Sequence, residues 1–358
     1  SFEFILLFRK LSSMSDSLRT NYKPLIGQSI SELEDFLISI GESAYRGRQI
    51  FDWIYRKNIY DFNKMTDLSV SLRKKLIEVP IHPLKIIGKN LSNAKETQKY
   101  LFELQNGKKV ESVLMKEKGR VTICLSTQVG CAVDCDFCAT AKMGFMQNLS
   151  VGQIIDQYIQ LKTIADDRIT NVVFMGMGEP FLNYQNCMQA AHLLHHPRGI
   201  NLGAWRITIS TAGVINKIIQ FAKEKHPFKL AVSLNASNQE QRKRIMPITK
   251  KNAFLDLIKS SKEYTAISGK VITFEYVMLA GVNDSLKDAQ ILKNILSPIN
   301  CKLNLIPYNE IGGEYSRPSS ENIVIFLETL RTARFPVTIR WSKGQDIDAG
   351  CGQLATQS

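Results

Sequence analysis

No stretch of the chain is long and apolar enough to cross a bilayer. The opening run Ser-Phe-Glu-Phe-Ile-Leu-Leu-Phe is short, carries Glu3 and lacks the basic leader of a secretion signal. Membrane-spanning and secreted proteins are therefore not expected. The seven cysteines show no paired spacing of a disulfide framework, which points to a reducing, cytoplasmic compartment. The five histidines, His195-His196 among them, have no metal-ligand spacing with other candidates and read as packing or surface residues. There is no internal repeat beyond a structural alternation described below. Position 1 is not methionine, and a more ordinary soluble sequence starts at Met14. Residues 1–13 thus read as an upstream extension, and residues 1–20 are expected to be disordered.

What is present is a chain of 358 residues with 44% hydrophobic residues, too apolar for disorder and long enough for one core of about 200–250 residues plus a smaller domain. Lysine and arginine total 46 against 33 acids, for a net charge of +13, which favours a polyanionic partner over a plain solvated surface. Residues 21–84 read as a small basic helical domain suited to RNA contact. Ser31 with Glu34 is the expected capping box, Leu33, Phe36, Leu37 and Ile40 follow at helical spacing, and Gly41 stops the helix. A second helix carries Ile50, Trp53 and Ile54 among Arg46, Arg48, Arg56 and Lys57. Across 85–118, Asn106-Gly107 between Tyr100–Leu104 and Val110–Met115 signals a linker hairpin.

From 119 to 345, short β-branched runs alternate with helical periods. Strands are expected at Val121–Leu125, Asn171–Met175, Arg206–Ser210, Leu230–Leu234, Val271–Met278, Lys302–Pro307 and Val337–Trp341. Such units predict an α/β fold, a full or partial parallel (β/α) barrel, with its chemistry on the loops that follow the strands. Residues 346–358 form a separate C-terminal segment.

The sharpest signal sits after the first barrel strand, where Cys131, Cys135 and Cys138 form CxxxCxxC. Three thiolates on one loop can hold three irons of a cubic cluster, whereas a protein that merely seals a metal normally supplies four ligands. An iron without a protein ligand can chelate S-adenosylmethionine (SAM) and reduce it. The competing reading is a zinc knuckle that borrows Cys124. Phe137 could shield a cluster or simply belong to the core. Gly176-Met177-Gly178-Glu179-Pro180 ends the next strand, where small residues admit a ligand and a carboxylate can grip an amino group. Cys351, between Gly350 and Gly352, suits a mobile thiol. Cys124 suits either a buried structural thiol or a reactive one, and Cys187 and Cys301 read as structural.

With the cysteine loop, Gly176–Pro180, Ser210-Thr211-Ala212-Gly213, Ser233-Leu234-Asn235-Ala236, Ile306-Pro307-Tyr308-Asn309 and Asp346–Leu354 in this order, the chain resembles the radical SAM RNA methyltransferases that modify carbon 2 of adenine, the RlmN type. The resemblance spans about residues 25–356. It implies a radical SAM barrel that methylates adenine in 23S rRNA and tRNA, with one 4Fe–4S cluster on Cys131, Cys135 and Cys138. SAM would touch Gly178, Glu179, Ser210, Ser233, Leu234, Asn235 and Asn309. It further implies Cys351 as the methyl carrier, Cys124 as its disulfide partner and Glu111 as proton acceptor. An electron donor such as flavodoxin or ferredoxin and a monomeric state complete the expectation.

Asn235 stands where the family usually has histidine, Gly350 where it has alanine and Gln345 where aspartate is frequent; the first bears on one SAM contact. A sibling branch methylates carbon 8, and Pro180 and Val129 resemble the carbon-2 branch. A glycyl-radical activase or small-molecule synthase would need neither the positive charge nor the pair Cys124 and Cys351. Backbone contacts to RNA are expected from Arg242-Lys243-Arg244, Lys250-Lys251, Lys108-Lys109 and the helices near Arg46, with the target base flipped out of a loop.

Overall fold

The computed structural model describes residues 22–356, so the expected extension at 1–20 lies outside the described residues. Ten strands form one sheet in the order β1-β2-β3-β4-β7-β8-β9-β10-β11-β12, and β5 and β6 pair separately. The strands are β1 Leu84–Leu91, β2 Thr97–Leu104, β3 Lys109–Glu117, β4 Arg120–Cys124, β5 Gln128–Gly130, β6 Phe145–Asn148, β7 Asn171–Phe174, β8 Ile207–Thr211, β9 Lys229–Ser233, β10 Ile272–Met278, β11 Cys301–Pro307 and β12 Val337–Ile339.

From β4 through β12 every pairing in the large sheet is parallel. A helix follows each of these strands and returns the chain, as parallel connection requires. Ile123, Val172, Ile209, Leu230, Phe274 and Leu303 are fully buried on the outward side, beneath those helices. Burying each such side chain stabilises the fold by about 1.5–3 kcal/mol. Their neighbours along the pleat, among them Cys124, Ser210, Ser233, Glu275 and Val277, face the lumen.

The barrel is partial. β1 and β12 are the two edges of the sheet and do not pair with each other. The expected hairpin is there, in register Leu101↔Glu111 and Tyr100↔Ser112, and β1 pairs with it to make an antiparallel unit of three strands. This unit joins β4 through the register Val113↔Cys124 and is thereby an extension of the barrel sheet rather than a detached connector.

The first helix runs Ile30–Ser39, and its capping box is Ser29 with Glu32, two residues earlier than Ser31 with Glu34. Ser29 has extended backbone and accepts from Glu32 N, while Glu34 is drawn to Arg48 Nε at 2.7 Å. The second helix, Tyr45–Phe51, continues as a π turn through Asp52–Arg56 that buries Trp53, Ile54 and Tyr55.

Candidate active site

The cysteine loop is shaped by the β5–β6 ribbon. Gly130 has φ +71°, and a Cβ there would lie 1.7 Å from Gly144 O, so only glycine lets the loop close. Cys138 N donates to Cys135 O at 3.1 Å, and Asp136 N donates to Ile245 O at 3.0 Å. Cys131, Cys135 and Cys138 are free, half-buried and border one cavity of about 340 Å³. Burial pushes the Cys131 thiol up to about 12 and that of Cys135 well up, and the three sulfurs repel one another's charge.

A cationic centre would reverse that preference and draw thiolates. Among the described residues, no three His, Cys, Asp or Glu converge as a single ion would require. Three thiols from one loop that border a hollow without converging on one point suit a polynuclear iron–sulfur centre better than a lone zinc.

Across the hollow, Gly178 has φ +95° and a Cβ there would press within 2.8 Å of Gln128 N. Glu179, next in sequence, is buried and accepts from Phe181 N at 2.9 Å and Ala212 N at 2.6 Å, tying the loops after β7 and β8 together. Burial pushes its carboxyl up to about 7, against the pull of those amides. An incoming ammonium group is the complement this site lacks. Ser210, Ser233 and Asn235 also border the cavity. Asn235 sits at φ 56°, which asparagine tolerates, and its Oδ1 accepts from Val277 N at 2.9 Å.

Leu234 and Asn309 do not border the cavity. Leu234 is fully buried, and Asn309 Nδ2 donates to Ser342 Oγ at 2.8 Å and to Cys351 O at 3.0 Å. Glu111 does not border it either.

One expectation is overturned. Arg242 is not a surface contact for an RNA backbone: it is fully buried, and its guanidinium donates to Leu234 O at 3.0 Å, Ser233 O at 3.1 Å, Ala212 O and Thr249 Oγ1. The carbonyls at the ends of β8 and β9 have no ladder partner there, and a five-donor fork satisfies several at once. Within a run of three basic residues only the helix phase distinguishes the inward one.

Cys351 is exposed toward the cavity while protein encloses it, and this enclosure pushes its thiol up to about 11. Cys124, buried at the end of β4, is pushed up to about 12 by burial and next by the charge of Cys351, and both thiols border the cavity. Arg340 pulls both down. The segment that carries Cys351 leaves β12 and crosses to the opposite edge of the sheet. Lys343 Nζ meets Glu96 Oε2 at 2.6 Å, Asn93 N donates to Asp346 Oδ2 at 2.7 Å, and Ala139 N donates to Gly352 O at 2.7 Å. The segment expected to be loose is thus hydrogen-bonded on both sides of Cys351, and at Cys351 O by Asn309.

Glu111 lies beneath this segment. Its Oε1 pairs with Lys99 Nζ at 3.1 Å, its Oε2 accepts from Ala355 N at 3.1 Å, and Lys99 Nζ also reaches Asp348 O at 3.3 Å. Burial raises the Glu111 carboxyl above its ordinary range and Lys99 opposes this. Sequence reading missed Lys99, because only the register of β2 on β3 reveals the pairing. Lys99→Met should leave a buried carboxylate unpaired and cost about 3 kcal/mol of stability. Urea unfolding checks this, and adding Glu111→Gln should restore part of the loss.

Comparison with known proteins fits this geometry. Residues 23–81 match the ribosomal RNA large subunit methyltransferase N-terminal domain, and residues 125–290 match the radical SAM superfamily. A relative from Syntrophomonas wolfei, named "Probable dual-specificity RNA methyltransferase RlmN", is 41% identical over 345 residues, covering 93% of this chain and 97% of the relative. One of the same name from Bacillus licheniformis is 41% identical over 342 residues, covering 94% of each. The chain belongs to the RlmN family of radical SAM RNA methyltransferases. A solved radical SAM methyltransferase from Sphaerobacter thermophilus superposes with a TM-score of 0.90 at 41% identity, covering 93% of this chain and 99% of that one. As an RlmN-family enzyme the chain uses a 4Fe–4S cluster and SAM, and its three free thiols around one hollow fit that cluster. Among the described residues no helix is long and apolar enough to cross a membrane.

Proposed function

We propose that this enzyme methylates carbon 2 of adenine in 23S rRNA and tRNA in the cytoplasm, through a methyl group carried on Cys351. The observation that supports the reading is that Cys351 and Cys124 both border the cavity that the three loop cysteines also line. Carbon 2 is electron-poor and has no lone pair with which to attack a sulfonium methyl. The methyl therefore goes first to a nucleophile that can take it, the Cys351 thiolate, by displacement from one SAM. Cys131, Cys135 and Cys138 hold the cluster, which when bound supplies the electron that splits a second SAM into methionine and a deoxyadenosyl radical.

In this reading Glu179 takes the amino group of SAM, while Gly178, Ser210, Ser233 and Asn235 line its berth. Leu234 and Asn309 act from behind: Leu234 O anchors Arg242, and Asn309 holds the Cys351 carbonyl. Loss of a hydrogen atom from the Cys351 methyl leaves a carbon that bonds to carbon 2 of the base. That adduct gives one electron back to the centre held by Cys131, Cys135 and Cys138, which is left oxidised once it has given its own, and Glu111 takes the carbon 2 proton. The Cys124 thiolate then attacks Cys351 Sγ, the carbon–sulfur bond breaks toward the base, the released carbon takes a proton from solvent to become the methyl group, and a transient disulfide remains. All seven cysteines are free in this structure.

The helical residues 21–84 serve as the RNA-contacting domain and 346–358 as the carrier segment. A flavodoxin or ferredoxin supplies electrons to a monomer. Reduced, reconstituted protein incubated with SAM and RNA fragments should give 2-methyladenine, located by mass, and about four irons per chain. Methyl at carbon 8, or a single zinc, would refute the reading.

A further inference from the structure

The lumen holds a polar row that the steps above do not use. Parallel register sets Ser233 beside Glu275, Glu275 beside Asn304 and Asn304 beside Thr338. Thr338 Oγ1 donates to Asn304 Oδ1 at 2.5 Å, and Asn304 Nδ2 donates to Glu275 Oε1 at 3.0 Å. The hydroxyl fixes which way the amide faces, and the amide fixes the carboxylate. Glu275 is 7% exposed and borders the cavity, yet its Oε2 is buried with no partner. A buried carboxylate oxygen left unpaired is costly and is satisfied by a donor that arrives from outside.

Arg340 also borders the cavity, and the charges of Arg340 and Glu275 both act on the Cys351 thiol. Glu275 and Cys351 thus border the same cavity. Glu275 sits two residues before Val277 on β10, level with Ser233 at the end of β9.

We infer that Glu275 is the acceptor for the exocyclic amine of the RNA adenine and thereby presents carbon 2 of that base to Cys351, an inference that rests on the carbon-2 reading above. The amine at position 6, ring nitrogen 1 and carbon 2 follow one another along a single edge of the base. A group that holds the amine beside Cys351 leaves carbon 2 next in line for its methyl. Hypoxanthine carries an oxygen at position 6, which a carboxylate repels, although its carbon 2 is equally open. The amine of SAM's own adenine offers the same chemistry. Glu275 borders the cavity that also holds Cys351, which the RNA base must reach, and methylation of Cys351 without RNA separates the two amines.

Reconstituted holoenzyme is given RNA fragments with adenosine, purine riboside or inosine at the target position. Methyl transfer (kcat/KM) is measured, and Cys351 methylation without RNA is followed by intact mass. Loss of the amine should cost the wild type about 10- to 100-fold. In Glu275→Leu that penalty should shrink to less than about threefold, because the acceptor is gone. Glu275→Gln, which keeps the shape and can offer a donor, should raise the inosine-to-adenosine ratio about tenfold. Cys351 methylation should be no slower than in the wild type in both variants, since removing the Glu275 charge eases ionisation of that thiol. A wild type indifferent to the amine, or an undiminished penalty in Glu275→Leu, overturns the inference. Slowed Cys351 methylation with the penalty intact would assign Glu275 to SAM's adenine and equally overturn it. A wild type whose Cys351 stays unmethylated removes the carrier reading, and this inference with it.

Discussion

Cys351→Ala should form no methylated adenine, a loss of at least about a thousandfold, while keeping its iron and its stability. The methyl route has one way onto the base, and alanine can neither accept a methyl nor present one. The thiol faces the cavity rather than the core, so its removal leaves little void and an effect on folding of less than about 1 kcal/mol. Mass mapping of the RNA and an unchanged unfolding midpoint check the two halves. Turnover by this variant at the wild-type rate would refute the carrier role.

Cys124→Ala should instead accumulate protein joined covalently to RNA. In the proposed route every step up to attachment of the base depends on Cys351. Release in that route depends on a second sulfur that attacks Cys351, and Cys124 is the other thiol outside the cysteine loop that borders the cavity. A denaturing gel should show a shifted band that nuclease trims to a nucleotide-sized mass on the peptide carrying Cys351. Clean release of methylated base would contradict the assignment. Cys187 and Cys301 are buried away from the cavity lining, and alanine at either should change neither outcome.

The spacing of three cysteines and the alternation of strand and helix were legible because both are local: a loop has to place its own thiols, and period 2 or 3.6 is written in consecutive residues. All seven expected barrel strands are present within one or two residues of their expected ends. Three kinds of feature were not local. The capping register of the first helix turned on Arg48, fourteen residues away, taking Glu34. Arg242 reads as surface charge until the fold brings unpaired carbonyls to it. Lys99 with Glu111, and Glu275 with Asn304, are cross-strand pairs whose partners only sheet register determines. Polar residues facing a lumen look, in sequence, the same as polar residues facing water.

The unpaired edges β1 and β12 leave a seam in the sheet, and the segment that carries Cys351 bridges it through Lys343 to Glu96 and Asp346 to Asn93. A fully closed barrel would have no such seam, so the stretch of chain assigned above to deliver the methyl owes its place to the strand pairing that is missing there.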